Sequence, residues 1–237
     1  MGYPGGKSGA GVYQTIINQI PPHETYIEAF AGGAAIFRKM RPAPSSLLIE
    51  KHGPQAAALD FEFKDQATII HGDALDVLGS YKFTGREFVY FDPPYVMETR
   101  RVQNRDLYAC ELSLADHNQL LGLICRLPCM VMISGYRSDL YDRALADFRT
   151  IEYEAATRGG MATETLWMNY APPVALHDYQ YIGDNYRERE NIRKKANRWA
   201  TNLKEMPALE RQAILSAIAA DPAISGGAGL SHQEDRR

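Results

Sequence analysis

An α/β fold, a mostly parallel sheet covered by helices, is predicted from three observations. Strand-length runs of β-branched and aromatic residues at 25–30, 46–50, 67–70, 88–91 and 130–133 alternate with helical stretches. The first run passes into a glycine turn, Ala31-Gly32-Gly33-Ala34-Ala35, with a helix predicted over 36–40. Acids cluster at strand ends: Glu28, Glu50, Asp73 and Asp92. Open α/β sheets bind their ligands there.

Length and composition bound the rest. The 237 residues fit one large domain, or one domain with a small appendage, and 45% hydrophobic content supplies a core. A net charge of −3 leaves any nucleic-acid surface local. The three cysteines, Cys110, Cys125 and Cys129, have no metal spacing, and the six histidines are scattered. Reduced thiols in a cytoplasmic protein are expected, with no metal. No basic-then-apolar leader is seen, and no apolar run of about 18 residues predicts a membrane span.

Each element has a local reason. Gly6-Lys7-Ser8 is not a phosphate loop, because that loop needs a glycine where Met1 stands. The glycines instead allow a tight turn against a ligand, with Lys7 placing a cation. Val12, Ile16, Ile17 and Ile20 recur at helical spacing, and Pro21-Pro22 ends that helix. Glu28 beside the glycine turn disfavours a pyrophosphate and suits a ligand bearing an ammonium group. Glu50 ends the second strand, where an acid commonly accepts from ribose hydroxyls. Asp73 follows the third strand and either accepts from an adenine amine or caps the helix starting at Ala74. Helices are predicted over 54–63, 116–126 and 138–148, and two last strands over 150–155 and 165–168.

The stretch 88–95 carries the chemistry. Pro93 and Pro94 cannot continue a ladder, so the strand stops and delivers Asp92 to its carboxyl end. The exocyclic amine of adenine is a poor nucleophile because its lone pair is delocalised into the ring. A carboxylate and the Pro93 carbonyl, rigidly held, accept hydrogen bonds from that amine and draw it toward a tetrahedral, more nucleophilic nitrogen. The Tyr95 ring can stack on the base. The plainer alternative is an Asp-Pro-Pro turn after a strand.

Two basic segments follow. Residues 96–116 hold Arg100, Arg101 and Arg105 among amides, either a solvated loop or a DNA-contacting one. Residues 187–199 form a charged helix with six basic and two acidic residues, including Arg193, Lys194 and Lys195. It is either solvated or in contact with phosphates. A second helical stretch carries Leu203, Met206, Leu209, Ile214, Leu215 and Ile218. Three parts are thus expected: a catalytic domain over 1–178, a basic helical extension over 179–222, and a disordered tail over 223–237.

Four patterns, Tyr3-Pro-Gly-Gly-Lys7, Glu28-Ala-Phe-Ala-Gly-Gly33, Glu50 and Asp92-Pro-Pro-Tyr95, stand in the order of one family. The chain resembles the Dam-like DNA adenine-N6 methyltransferases over residues 2–173. The resemblance implies a Rossmann-like class I methyltransferase fold with seven strands, one of them antiparallel, and S-adenosylmethionine as cofactor. It implies that Tyr3 and Lys7 line the cofactor's methionine end and that Glu28, Phe30 and Gly32 form the floor beneath it. Glu50 would bind the ribose, Asp73 the cofactor's adenine, and Asp92 would stand at both cofactor and base. Asp92, Pro93 and Tyr95 would hold a flipped adenine in DNA. Ala34 departs from the family's second glycine, and the helical recognition insert of larger members is missing. Methylation of cytosine N4, an RNA base or a protein amide, or a non-catalytic cofactor-binding DNA module, are the alternatives.

Overall fold

The computed structural model describes residues 6–100, 109–157 and 160–225. Seven strands form one sheet: β1 (Thr25–Ala29), β2 (Ser45–Glu50), β3 (Thr68–His71), β4 (Glu87–Phe91), β5 (Met130–Gly135), β6 (Arg149–Thr157) and β7 (Gly160–Met168). Their order is β3-β2-β1-β4-β5-β7-β6. Strands β1 to β5 pair in parallel, and β7 runs antiparallel to both neighbours. The strand order reverses between the parallel neighbours β1 and β4, so both strand ends open into one crevice. This is the Rossmann-like sheet the sequence led us to expect.

Side-chain alternation sorts the sheet into two faces. Tyr26, Phe88, Tyr90, Met132, Leu166 and Met168 face one core, closed by α1 (Val12–Ile17) and by Leu59 and Phe63 of α2 (Gly53–Phe63). Ile27, Val89, Phe91, Val131, Ile133 and Trp167 face the other. That side is covered by α3 (Ala74–Ser80), α4 (Leu114–Ile124) and α5 (Asp139–Ala144). Ser113 caps α4 and Ser138 caps α5, each accepting from a first-turn amide.

Three expectations change. The helix predicted over 36–40 is a run of turns. Its Phe37 amide is diverted to Glu28 at 3.0 Å, out of any helical ladder. Strand β5 extends through Ser134 and Gly135, which had read as a turn. The carboxy-terminal stretch is three helices, α6 (Tyr186–Glu205), α7 (Ala208–Ala220) and α8 (Pro222–Ser225), broken at Pro207, which has no amide hydrogen to give. Helix α8 reaches three residues into the stretch expected to be disordered, and residues 226–237 lie outside the described ones.

The chain still bonds to the core past residue 178. The Tyr181 carbonyl accepts from Asn18 and its hydroxyl donates to Lys39 O. Helices α6 and α7 bury no residue. No helix among the described residues is long and apolar enough to cross a membrane.

Candidate active site

The crevice outside β1, β2 and β4 is a cleft open to solvent, lined by residues at the carboxyl ends of those strands. Lys7, Glu28, Phe30, Gly32, Glu50 and Asp92 all line it. The turn after β1 reaches in by unusual backbone geometry. Phe30, Gly32 and Ala34 all have positive φ, at 61°, 51° and 49°. For Phe30 and Ala34 this is a strained region that surrounding structure must hold.

Glu50 does part of that holding. Its Oε2 accepts from the Gly32 amide at 2.7 Å and its Oε1 from the His52 amide at 2.7 Å. Gln55 donates to the Gly32 carbonyl at 2.6 Å. A carboxylate has about four acceptor positions, so Glu50 retains capacity for a ligand's hydroxyls.

Glu28 is buried on the floor. Its Oε2 accepts from the Tyr26 hydroxyl at 2.9 Å and the Phe37 amide at 3.0 Å. Burial pushes its carboxyl up to about 8, against those two hydrogen bonds. An acid so placed gains most from a cationic ligand, whose charge restores the ionised form.

Asp92 sits just beyond β4, where alternation turns it to the same face as Glu28 and Tyr90. Four contacts fix it. Lys7 Nζ donates to Oδ1 at 2.7 Å and Oδ2 at 2.9 Å, and Ser134 Oγ donates to Oδ1 at 2.8 Å. Tyr95 OH stands 3.4 Å from Oδ1. Burial raises the Asp92 carboxyl above its ordinary value, while Lys7 pulls it back.

Tyr95 is held at both ends. Its hydroxyl donates to Glu164 Oε2 at 2.7 Å, and Arg100 Nε donates to its carbonyl at 2.9 Å. Its ring meets Tyr136 edge-on at 4.7 Å, and Lys7 Nζ lies 5.0 Å from its centroid. Pro93 and Pro94 are buried, and Pro94 lines the cleft.

The sequence reading missed Glu164. Tyr153 is its register partner across β6 and β7 and donates to Glu164 Oε2 at 2.8 Å. Lys7 Nζ is 3.6 Å from the same oxygen. A signal was there: Ala162, Glu164, Leu166 and Met168 share one face by period two, so an acid stands at an inward position.

Two proposed roles change. Asp73 takes the capping use that the sequence also offered: its Oδ1 caps α3 through the Leu75 amide at 2.8 Å and its Oδ2 pairs with Lys51 at 2.8 Å. Arg100 is buried, not presented to a DNA backbone. It pairs with Glu111 at 2.6 Å as well as holding Tyr95. Tyr3, Arg101 and Arg105 lie outside the described residues. Arg193, Lys194 and Lys195 are exposed on α6, with Arg193 paired to Glu190 at 2.6 Å.

The donor set suits one elongated ligand. Buried Glu28 offers an anion for an ammonium, Glu50 offers acceptors for a diol, and Ile49, Ala74 and Leu112 offer apolar surface for a flat ring. S-adenosylmethionine has these three parts, so the residues fit it. Among the described residues no group of three or more His, Cys, Asp or Glu is placed to hold a metal ion.

No protein-family model and no curated protein matches the sequence. Solved structures are similar to the chain at low identity. The Escherichia coli protein yhhF is 18% identical, covering 72% of this chain and 92% of its own, with a TM-score of 0.46. A dimethyladenosine transferase from Plasmodium falciparum is 11% identical over 70% of this chain and 63% of its own, at 0.45. An rRNA methylase from Streptococcus thermophilus is 9% identical over 67% and 93%, at 0.43. Nothing about substrate passes from those proteins to this chain at such figures.

Proposed function

We propose that the protein transfers a methyl group from S-adenosylmethionine to N6 of an adenine turned out of DNA. The observation that carries this is the rigid placement of Asp92 at the end of β4. Its carboxylate and the cleft floor at Glu28 open into the same cavity.

The cofactor, when bound, supplies an electrophilic methyl group on a sulfonium. Glu28 sits at the end that would receive its amino-acid part, and Glu50 at the part that would receive its ribose. Asp92 and the Pro93 carbonyl accept hydrogen bonds from the target amine and aim its nitrogen. The Tyr95 ring holds the base by stacking, worth about 1–3 kcal/mol. That offsets part of the few kcal/mol spent in extruding the base. Positioning and fixed electrostatics then account for most of the acceleration.

DNA contact falls to residues 101–108, which carry Arg101 and Arg105, and to the exposed Arg193, Lys194 and Lys195 of α6. Incubation with methyl-labelled cofactor and unmethylated DNA tests the reading. Label retained on DNA supports it; label on RNA or protein instead overturns the DNA acceptor.

A further inference from the structure

We propose that Glu164 is a positioning residue that receives the Lys7 ammonium when an acceptor amine takes over Asp92. The inference rests on the reading of Asp92 as the anchor for that amine.

Lys7 occupies the acceptor's place. Its Nζ touches both Asp92 oxygens, at 2.7 and 2.9 Å, and stands 5.0 Å from the Tyr95 ring centre. These are the carboxylate and the aromatic face that a target base requires. An ammonium and a base amine cannot both hold them.

The lysine has a short path away. Its side chain is 4% exposed, so its charge is best kept beside an anion when it leaves Asp92. Glu164 Oε2 lies 3.6 Å from Nζ, and its side chain is 7% exposed. A shift of about 1 Å brings that pair to the length of a charge-assisted hydrogen bond. The receiving oxygen is fixed beforehand by the hydroxyls of Tyr95 and Tyr153, at 2.7 and 2.8 Å. Asp92 then faces a neutral amine as a free acceptor, and the cation's charge stays balanced by Glu164. The same carboxylate orients the Tyr95 ring, so the two adjustments are linked through one residue.

Thermal unfolding of a double-mutant cycle tests the hand-over without any substrate. Asp92→Asn and Glu164→Gln each leave Lys7 one of the two carboxylates, whereas the double variant leaves neither. The double variant should lose about 5 °C in Tm beyond the sum of the single shifts. Adding Lys7→Met should recover most of that excess, which assigns it to the Lys7 charge and not to general misfolding. Additive shifts would overturn the proposal. In turnover, Glu164→Gln with Asp92 intact should raise the acceptor KM about tenfold, with cofactor affinity within about twofold of wild type. An unchanged acceptor KM would also overturn it. A coupled Tm loss in a protein that methylates no DNA would support the hand-over and remove only the adenine acceptor.

Discussion

Lys7 Nζ stands 2.7 Å from Asp92 Oδ1, joining residues 85 positions apart across the mouth of the sheet. The amino-terminal Gly-Gly-Lys turn and the end of β4 thus form one site. Asp92→Ala should lose at least about 10²-fold in methyl transfer, as when one preorganised hydrogen-bonding group is removed. Initial rates at saturating cofactor measure this. Near-normal turnover would mean that Asp92 does not hold the acceptor.

Arg100 should behave as a strut and not as a phosphate contact. Its guanidinium is buried between the Tyr95 carbonyl and Glu111. Arg100→Met should cost about 3 kcal/mol in denaturant unfolding, since it breaks a buried pair. The dependence of DNA binding on salt should keep its slope. A slope reduced by about one, with stability unchanged, would instead mark a phosphate contact.

Glu28 makes stability depend on pH in a definite direction. Its carboxyl is raised from 4.5 to about 8 in the folded chain. Between those values the folded state holds a proton that the unfolded state releases. The contribution is therefore fully present below about pH 4.5 and is lost as pH rises through about 8. Urea unfolding of wild type and Glu28→Gln at pH 5 and pH 8 measures it. The variant should gain on wild type at the higher pH; an equal difference at both would contradict the assignment. Cofactor affinity should rise with pH from 6 to 7.5 in wild type and stay flat in the variant.

Asp73 should matter to α3 and not to the cofactor. Asp73→Ala removes the cap on Leu75 and the partner of Lys51, at a cost of about 1 kcal/mol. Calorimetric titration with S-adenosylmethionine should give an unchanged dissociation constant. A loss of tenfold or more would return Asp73 to the cleft.

The sheet was legible because its strands are short apolar runs with stops that chain chemistry forces, as at Pro93. The cleft was legible because acids at strand ends have few uses other than caps and ligands. Asp73 shows the limit of that argument: one Asp after a strand serves either use, and only its Leu75 and Lys51 bonds decide. Arg100 was misread because sequence shows charge but not direction, and Glu111, its partner, looked like one more loop residue. Glu164 was missed because its meaning depends on Lys7 and Tyr95, which adjoin it only through the antiparallel placement of β7. The turn over 36–40 was misread as helix because the competing acceptor for the Phe37 amide, Glu28, lies on another element.

Adenine-N6 transfer is tested most directly by nucleoside analysis. Unmethylated DNA would be incubated with wild type or Asp92→Ala and methyl-labelled S-adenosylmethionine, then digested to nucleosides and separated. The account predicts label in N6-methyladenine with wild type and its loss with the variant. Label in a methylated cytosine, or DNA left unlabelled by a wild-type protein that binds the cofactor, would contradict it.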